Sequence, residues 1–237
     1  MTTCKDIIDE LKALGKEEKR LVLQRFFKTG EGQYGYGDKF LGIPVPLTRG
    51  VAKEHKDATD DTIKSLLRSE WHEVRLCALL IMVEKVRRAD EDVRRRMFDL
   101  YLANTGRINN WDLVDLSAPQ IVGCFLKQKP RDILYNLADS PLLWDNRIAI
   151  VSTFAFIKDH DLDDTFRLAL RLMNHPHELI HKAVGWMLRE AGKRDMLRLR
   201  LFVDDHYADM PRTMLRYAIE KYPEEERKEV IGRKLKD

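Results

Sequence analysis

Trp111 and Asp115 stand four residues apart in Asn109-Asn110-Trp111-Asp112-Leu113-Val114-Asp115, which opens an apolar run from Val114 to Leu126. On a helix that spacing projects both side chains from one face, one turn apart. An aromatic plate beside a carboxylate suits a site for an electron-poor or cationic group. The ring offers cation–π contact, and the carboxylate offers charge or activates water. The plain structural alternative is a buried Trp next to a first-turn acid, since acids favour helix N-termini. Asp112 lies about 100° around the helix from Trp111 and is expected to serve the helix start.

Further along, Trp186 falls in 177–192, where Ile180, Val184, Met187 and Leu188 form an apolar stripe. Trp186 points away from the centre of that stripe. Lys182 and Arg189 share its side, four residues before and three after. Arg147 stands three residues after Trp144 in the intervening segment. These groups would meet if the segments carrying them stack as repeats.

The elements that must position them are helices. Apolar residues recur at helical spacing through Ile7, Ile8, Leu11 and Leu14, through Leu21, Val22, Phe26 and Phe27, and through Val74, Cys77, Ala78, Ile81 and Met82. Proline punctuates the joints, as at Ser140-Pro141, Met210-Pro211 and Tyr222-Pro223. First helices are expected near Thr59, Asp90, Pro130, Asp161 and Arg194. Second helices are expected near His72, Asn110, Leu143, His177 and Pro211. A period of roughly 30–40 residues is that of HEAT-type hairpins. The expectation is an all-α, HEAT-like helical-repeat solenoid, one domain over 1–237, with second helices on a concave face.

Residues 29–46 depart from the helical pattern. Their glycines and prolines mark a long loop, in which Tyr34, Tyr36, Asp38, Lys39 and Phe40 are candidates to touch a ligand. Neither phosphate-binding glycine pattern is present.

The composition narrows the classes. The chain has 237 residues, with Lys+Arg 42 against Asp+Glu 39, so nucleic-acid binding needs basic residues gathered on one face. Cys4, Cys77 and Cys124 are isolated, which favours a reducing cytoplasm and no disulfide framework. No apolar run is long enough for a membrane span. His177 and His181 sit at metal-ligand spacing, but no convincing third ligand accompanies them, and no metal or other cofactor is expected. Arg87-Arg88 and Arg94-Arg95-Arg96, with acids between them, read as a solvated face. The segment 221–237 reads as a capping helix.

Four segments carry a resemblance: Phe40-Leu41-Gly42-Ile43 with Pro46, Trp111-Asp112-x-Val114-Asp115, Trp144-x-x-Arg147-x-Ala149, and Lys182-Ala183-x-Gly185-Trp186-x-Leu188-Arg189-Glu190. Over about residues 20–230 the chain resembles DNA alkylation repair proteins of the AlkD family, the HEAT-like-repeat DNA glycosylases. The resemblance implies excision of N3- and N7-alkylated purines from duplex DNA without a cofactor, by a monomer, with the lesion still stacked. It implies that Trp111 and Trp186 flank the damaged nucleotide, that Asp115 is the catalytic carboxylate, and that Arg147 contacts DNA. Asn110 stands where the family often has a second Trp. Phe26, Phe27, Tyr34 and Tyr36 all compete for the place of a DNA-touching N-terminal Tyr. The competing readings are a non-catalytic helical-repeat protein that binds bent or branched DNA, and a protein-interaction scaffold.

Overall fold

The computed structural model describes residues 3–233. Within them the chain is helical, without a named strand, as the periodicity predicts. It divides into two compact units, up to Phe125 and from Leu126 onward.

The first unit begins with α1 (Cys4–Leu14) and α2 (Glu17–Phe26). A non-helical stretch follows, then α3 (Val45–Glu54), α4 (Asp60–Leu67), α5 (His72–Val86) and α6 (Glu91–Leu102). Next comes α7 (Trp111–Asp115), then a π-helical turn over Pro119–Gly123 that runs into α8 (Cys124–Leu126). The loop is shorter than expected, because Val45 and Pro46 already belong to α3. Pro44 caps that helix and Pro46 occupies its second position, where a missing N–H costs nothing. Thr59 and Asp90 accept from Thr62 N and Val93 N, which starts α4 and α6 where the capping signal places them.

α5 is the spine of this unit. It is apolar around most of its circumference, and nearly all its residues are buried, so it must be covered on every side. α1, α3, α4, α6 and α7 supply the cover. The charged residues at its start, His72, Glu73 and Arg75, are also buried and need partners there.

The apolar run after Trp111 is not one helix. α7 is five residues long. Pro119 has no N–H to donate to the Asp115 carbonyl, and its ring crowds that position. The chain turns at Leu116 and resumes with π-type bonding, Cys124 N donating to Pro119 O. Ser117 Oγ fills the break by donating to the Leu113 carbonyl, and it also meets Tyr101 Oη at 2.9 Å.

The second unit contains α9 (Asp132–Ala138), α10 (Leu143–Ser152), α11 (Phe154–Ile157) and α12 (Asp163–Arg171). It continues with α13 (Glu178–Gly192), α14 (Met196–His206), α15 (Arg212–Ala218) and α16 (Glu224–Gly232). The first and second helices start close to where the proline and cap signals put them. The tail is helical through Gly232; 234–237, the end of the expected capping helix, lie outside the described residues. α13 packs closely on α15. A Cβ at Gly185 would lie 2.5 Å from both Met214 O and Tyr217 Cβ, so the glycine beside Trp186 permits backbone-to-side-chain contact there. No described helix is long and apolar enough to cross a membrane.

Candidate active site

α7 is capped by Asn110, whose side-chain oxygen accepts from Trp111 N at 2.9 Å. The Asn110 Nδ2 is buried without a partner. The expected one-face geometry holds. Trp111 and Asp115 both line a cavity of about 310 Å³ within the first unit. That is near the lower bound of small-ligand cavities, about 300 Å³. Its walls are mostly apolar and aromatic, with Phe26, Phe27, Phe40, Ile43 and Leu76 among them.

Trp111 is held on several sides. Phe27 stacks on it at 5.1 Å between centroids with planes 26° apart, and Phe26 meets it edge-on at 5.7 Å. Its Nε1–H donates to Tyr34 Oη at 3.3 Å. Of the four aromatic residues considered for the N-terminal position, three therefore gather at Trp111. Tyr36 does not; it is 67% exposed. Lys39 pairs with Glu70 at 2.6 Å.

Behind the aromatic wall lies a buried polar layer. His72 Nδ1 is 2.8 Å from Asp38 Oδ2, and its Nε2 is 2.8 Å from Asp112 Oδ2. Arg75 donates to Asp38 Oδ1 at 2.7 Å and to Asn109 Oδ1 at 3.0 Å. Asp112 is therefore not simply a first-turn acid. It is 5% exposed and turned inward onto α5, where it meets His72, while Asn110 fills the cap role. Burial opposes the positive charge on His72, but Asp112 and Asp38 outweigh it and hold the imidazole at a pKa of about 9. Burial likewise opposes the charge on Asp38, and His72 and Arg75 overcome it, so its carboxyl stays below the usual range.

Glu73 organises the loop. Its carboxylate accepts from Leu41 N at 2.9 Å, Gly42 N at 2.8 Å and Ile43 N at 3.1 Å. His72 N donates to Lys39 O at 2.7 Å. The segment Phe40-Leu41-Gly42-Ile43 is thereby clamped to the start of α5, which brings Phe40 onto His72 at 4.5 Å. Asp38 belongs to the loop residues that the sequence offers as ligand contacts; His72, Glu73 and Arg75 are not singled out by sequence. The segment 71–78 starts with polar residues, but their partners in the loop and at α7 lie thirty or more residues away.

In the second unit, Trp186 is half-buried on α13, with its ring 6.0 Å from that of Phe154. Lys182 pairs with Glu178 at 3.2 Å. Arg189 pairs with Glu220 and, at 3.4 Å, with Glu190. Arg147 is 5% exposed and donates from Nη1 to Leu179 O at 2.6 Å, which ties α10 to α13. His177 caps α13 through Leu179 N, and His181 Nε2 faces the His175 carbonyl. No group of three or more metal-ligating side chains occurs among the described residues.

The family model for DNA alkylation repair enzymes matches residues 7–222. The chain belongs to that family. Its fold is similar to that of a solved structure described as a predicted DNA alkylation repair enzyme from Enterococcus faecalis. The two share 15% identity at a TM-score of 0.68, over 89% of this chain and 97% of the other. A search against curated proteins gives no match.

Proposed function

We propose that the protein is a DNA glycosylase that hydrolyses the N-glycosidic bond of cationic N3- or N7-alkylated purines in duplex DNA. The observation that carries the reading is the placement of Trp111 and Asp115 on one wall of an aromatic cavity, in a chain of the alkylation repair family. Alkylation makes the purine cationic, so it leaves as a neutral base when the C1′–N bond breaks. The electron pair goes to the purine and the sugar gains oxocarbenium character. Asp115 opposes that developing charge and orients the water that adds to C1′, releasing a proton. A base that is already cationic needs no general acid, which accounts for a site with one working carboxylate. Trp111 presents an aromatic surface to the cationic nucleotide. Trp186, Arg147, Lys182 and Arg189 of the second unit, and Tyr34, Tyr36 and Lys39 of the first, are proposed DNA contacts.

Base release from methylated duplex DNA tests the reading. Wild-type protein should liberate 7-methylguanine or 3-methyladenine, with or without a chelator. Asp115→Asn should bind the duplex and keep its circular dichroism while losing about 100-fold or more in rate, the scale of removing one charge-stabilising group. Folded wild-type protein that releases no base would transfer the reading to non-catalytic DNA binding. Asp115→Asn cleaving at the wild-type rate would remove that carboxylate from the chemistry.

A further inference from the structure

We propose that His72 is a positioning residue for the reaction: as an imidazolium clamped between Asp38 and Asp112, it fixes the short helix that carries Trp111 and Asp115. The inference rests on the glycosylase reading for its kinetic consequence, but not for its structural one.

The need for a clamp follows from the length of α7. It has five residues and is cut off by the turn at Leu116 and by Pro119. One helical turn has little stability of its own, so its orientation depends on side-chain tethers. Asp112 is the residue after Trp111 and lies three before Asp115. Its bond to His72 Nε2 joins α7 to α5 through buried charge. The other ring nitrogen joins α5 to the loop through Asp38, and Arg75 returns from Asp38 to Asn109, just ahead of α7. Loop, α5 and α7 are thus linked through one connected polar network.

The geometry requires charge on the ring. Both nitrogens face carboxyl oxygens, and with both acids ionised these only accept, so both nitrogens carry hydrogen. The groups facing His72 are Asp38 from the loop and Asp112 from α7. Arg75 on α5 balances Asp38, and Arg107 adds positive charge nearby. Glu73 is occupied by three loop amides, and Asp115 lies further along α7 on the same cavity. Two carboxylates are then matched by Arg75 and an imidazolium. A neutral ring leaves one buried carboxylate charge uncompensated, which is costly in a site with 2% and 7% exposed side chains. An aromatic path runs beside the polar one: His72 stacks on Phe40, Phe40 on Phe27, and Phe27 on Trp111.

His72→Gln keeps a hydrogen-bonding side chain and removes the charge. Two readouts test it. Hydrogen exchange of the peptide 109–118 should speed up in His72→Gln while the peptide 178–192 exchanges as in wild type; unchanged exchange at 109–118 overturns the proposal. Single-turnover base release should fall by about 100-fold, the scale of a small misplacement of reacting groups, with duplex affinity within about 3-fold. The double variant His72→Gln/Asp112→Asn removes one charge of each sign, so it should recover at least tenfold over His72→Gln; no recovery overturns the charge-clamp assignment. If the single variant does not fold, the wild-type ring decides: imidazole nitrogen resonances should show both nitrogens protonated at pH 7.5, and a single neutral tautomer overturns the proposal. A wild-type protein without base release, combined with fast exchange at 109–118 in the variant, would remove the glycosylase reading and leave the clamp standing.

Discussion

Phe27 lies 5.1 Å from Trp111, ring centroid to ring centroid, with the planes 26° apart. Phe27 is 6% exposed and also stacks on Phe40 at 5.1 Å, so it is the middle plate between the loop and α7. Its role is to set the plane of the indole. Phe27→Leu should keep the side chain apolar while losing the plate. Stability should drop by about 1–3 kcal/mol, from lost packing and lost ring contact. Base release should drop further than duplex affinity, because the indole is no longer held in one plane. Urea denaturation and single-turnover excision measure the two effects, and a variant with wild-type excision would show that the stack does not orient Trp111.

The buried His72 gives stability a definite pH dependence. Its folded pKa of about 9 lies above the ordinary histidine value near 6.5. A raised folded pKa means that the native state holds the proton more tightly. The stabilisation is therefore fully present below about pH 6.5 and fades as pH rises through about 9. The gap between the two values corresponds to a stabilisation on the order of 3 kcal/mol when fully present. Asp38 acts in the opposite sense. Its carboxyl is held below the usual range, so its contribution is present above the ordinary carboxylate value and is lost as pH falls through the depressed one. Urea midpoints should decline between pH 7 and 9.5 in wild type and much less in His72→Gln. Parallel declines in the two proteins would place the titration elsewhere.

Some of this was legible in the sequence and some was not, and the division follows the range of the interactions. Thr59 and Asp90 mark helix starts because a cap is a contact three residues long. Trp111 and Asp115 share a wall because four residues make one turn. Asp112 is legible as a first-turn acid but not as a buried partner, because helical geometry gives its direction and not its neighbour, and His72 lies forty residues earlier in the chain. Asp38 reads from sequence as a loop residue open to a ligand, not as the buried partner of His72 and Arg75, and Glu73 escapes for the same reason. A carboxylate that receives three loop amides has no local signature. The break at Leu116 was obscured by the apolar composition of 114–126, in which Pro119 was the only visible warning.

Salt dependence should separate two kinds of basic residue in the second unit. Lys182 and its partner Glu178 are 35% and 59% exposed, and exposed pairs of this kind contribute only about 0–1 kcal/mol. A phosphate can therefore replace Glu178 readily. Arg147 is buried and bound to the Leu179 carbonyl. Lys182→Ala should lower the slope of log affinity against log salt by about 0.9 and leave the melting temperature near wild type. Arg147→Ala should lower the melting temperature whatever it does to binding, because it removes a buried side chain and its bond from α10 to α13. Fluorescence anisotropy across a salt series, with thermal melts beside it, measures both. An unchanged slope for Lys182→Ala would remove it from the DNA contacts.

Gly42 is the position where the loop tolerates least. Its φ is +85°, a conformation that favours glycine, and its N–H donates to Glu73 Oε1 at 2.8 Å. A Cβ there would lie 2.2 Å from Lys16 O and 2.7 Å from Arg20 N, both backbone atoms that cannot rotate away. Gly42→Ala must therefore strain the backbone, push α2 off the loop, or break the Glu73 clamp. The left-handed conformation costs about 1–2 kcal/mol and the overpacking about 1–3 kcal/mol more. Pushing α2 away moves Phe26 and Phe27 relative to Trp111, and breaking the clamp releases Phe40 from His72. Gly106→Ala is the matched control, since nothing lies within 4 Å of a Cβ at that site. The expected outcome is a loss of about 2–5 kcal/mol for Gly42→Ala, against about 0.5 kcal/mol or less for Gly106→Ala. Base release, measured where both variants remain folded, should fall only in the first. Equal stability of the two variants would mean that the loop does not seat α2 as the geometry around Gly42 requires.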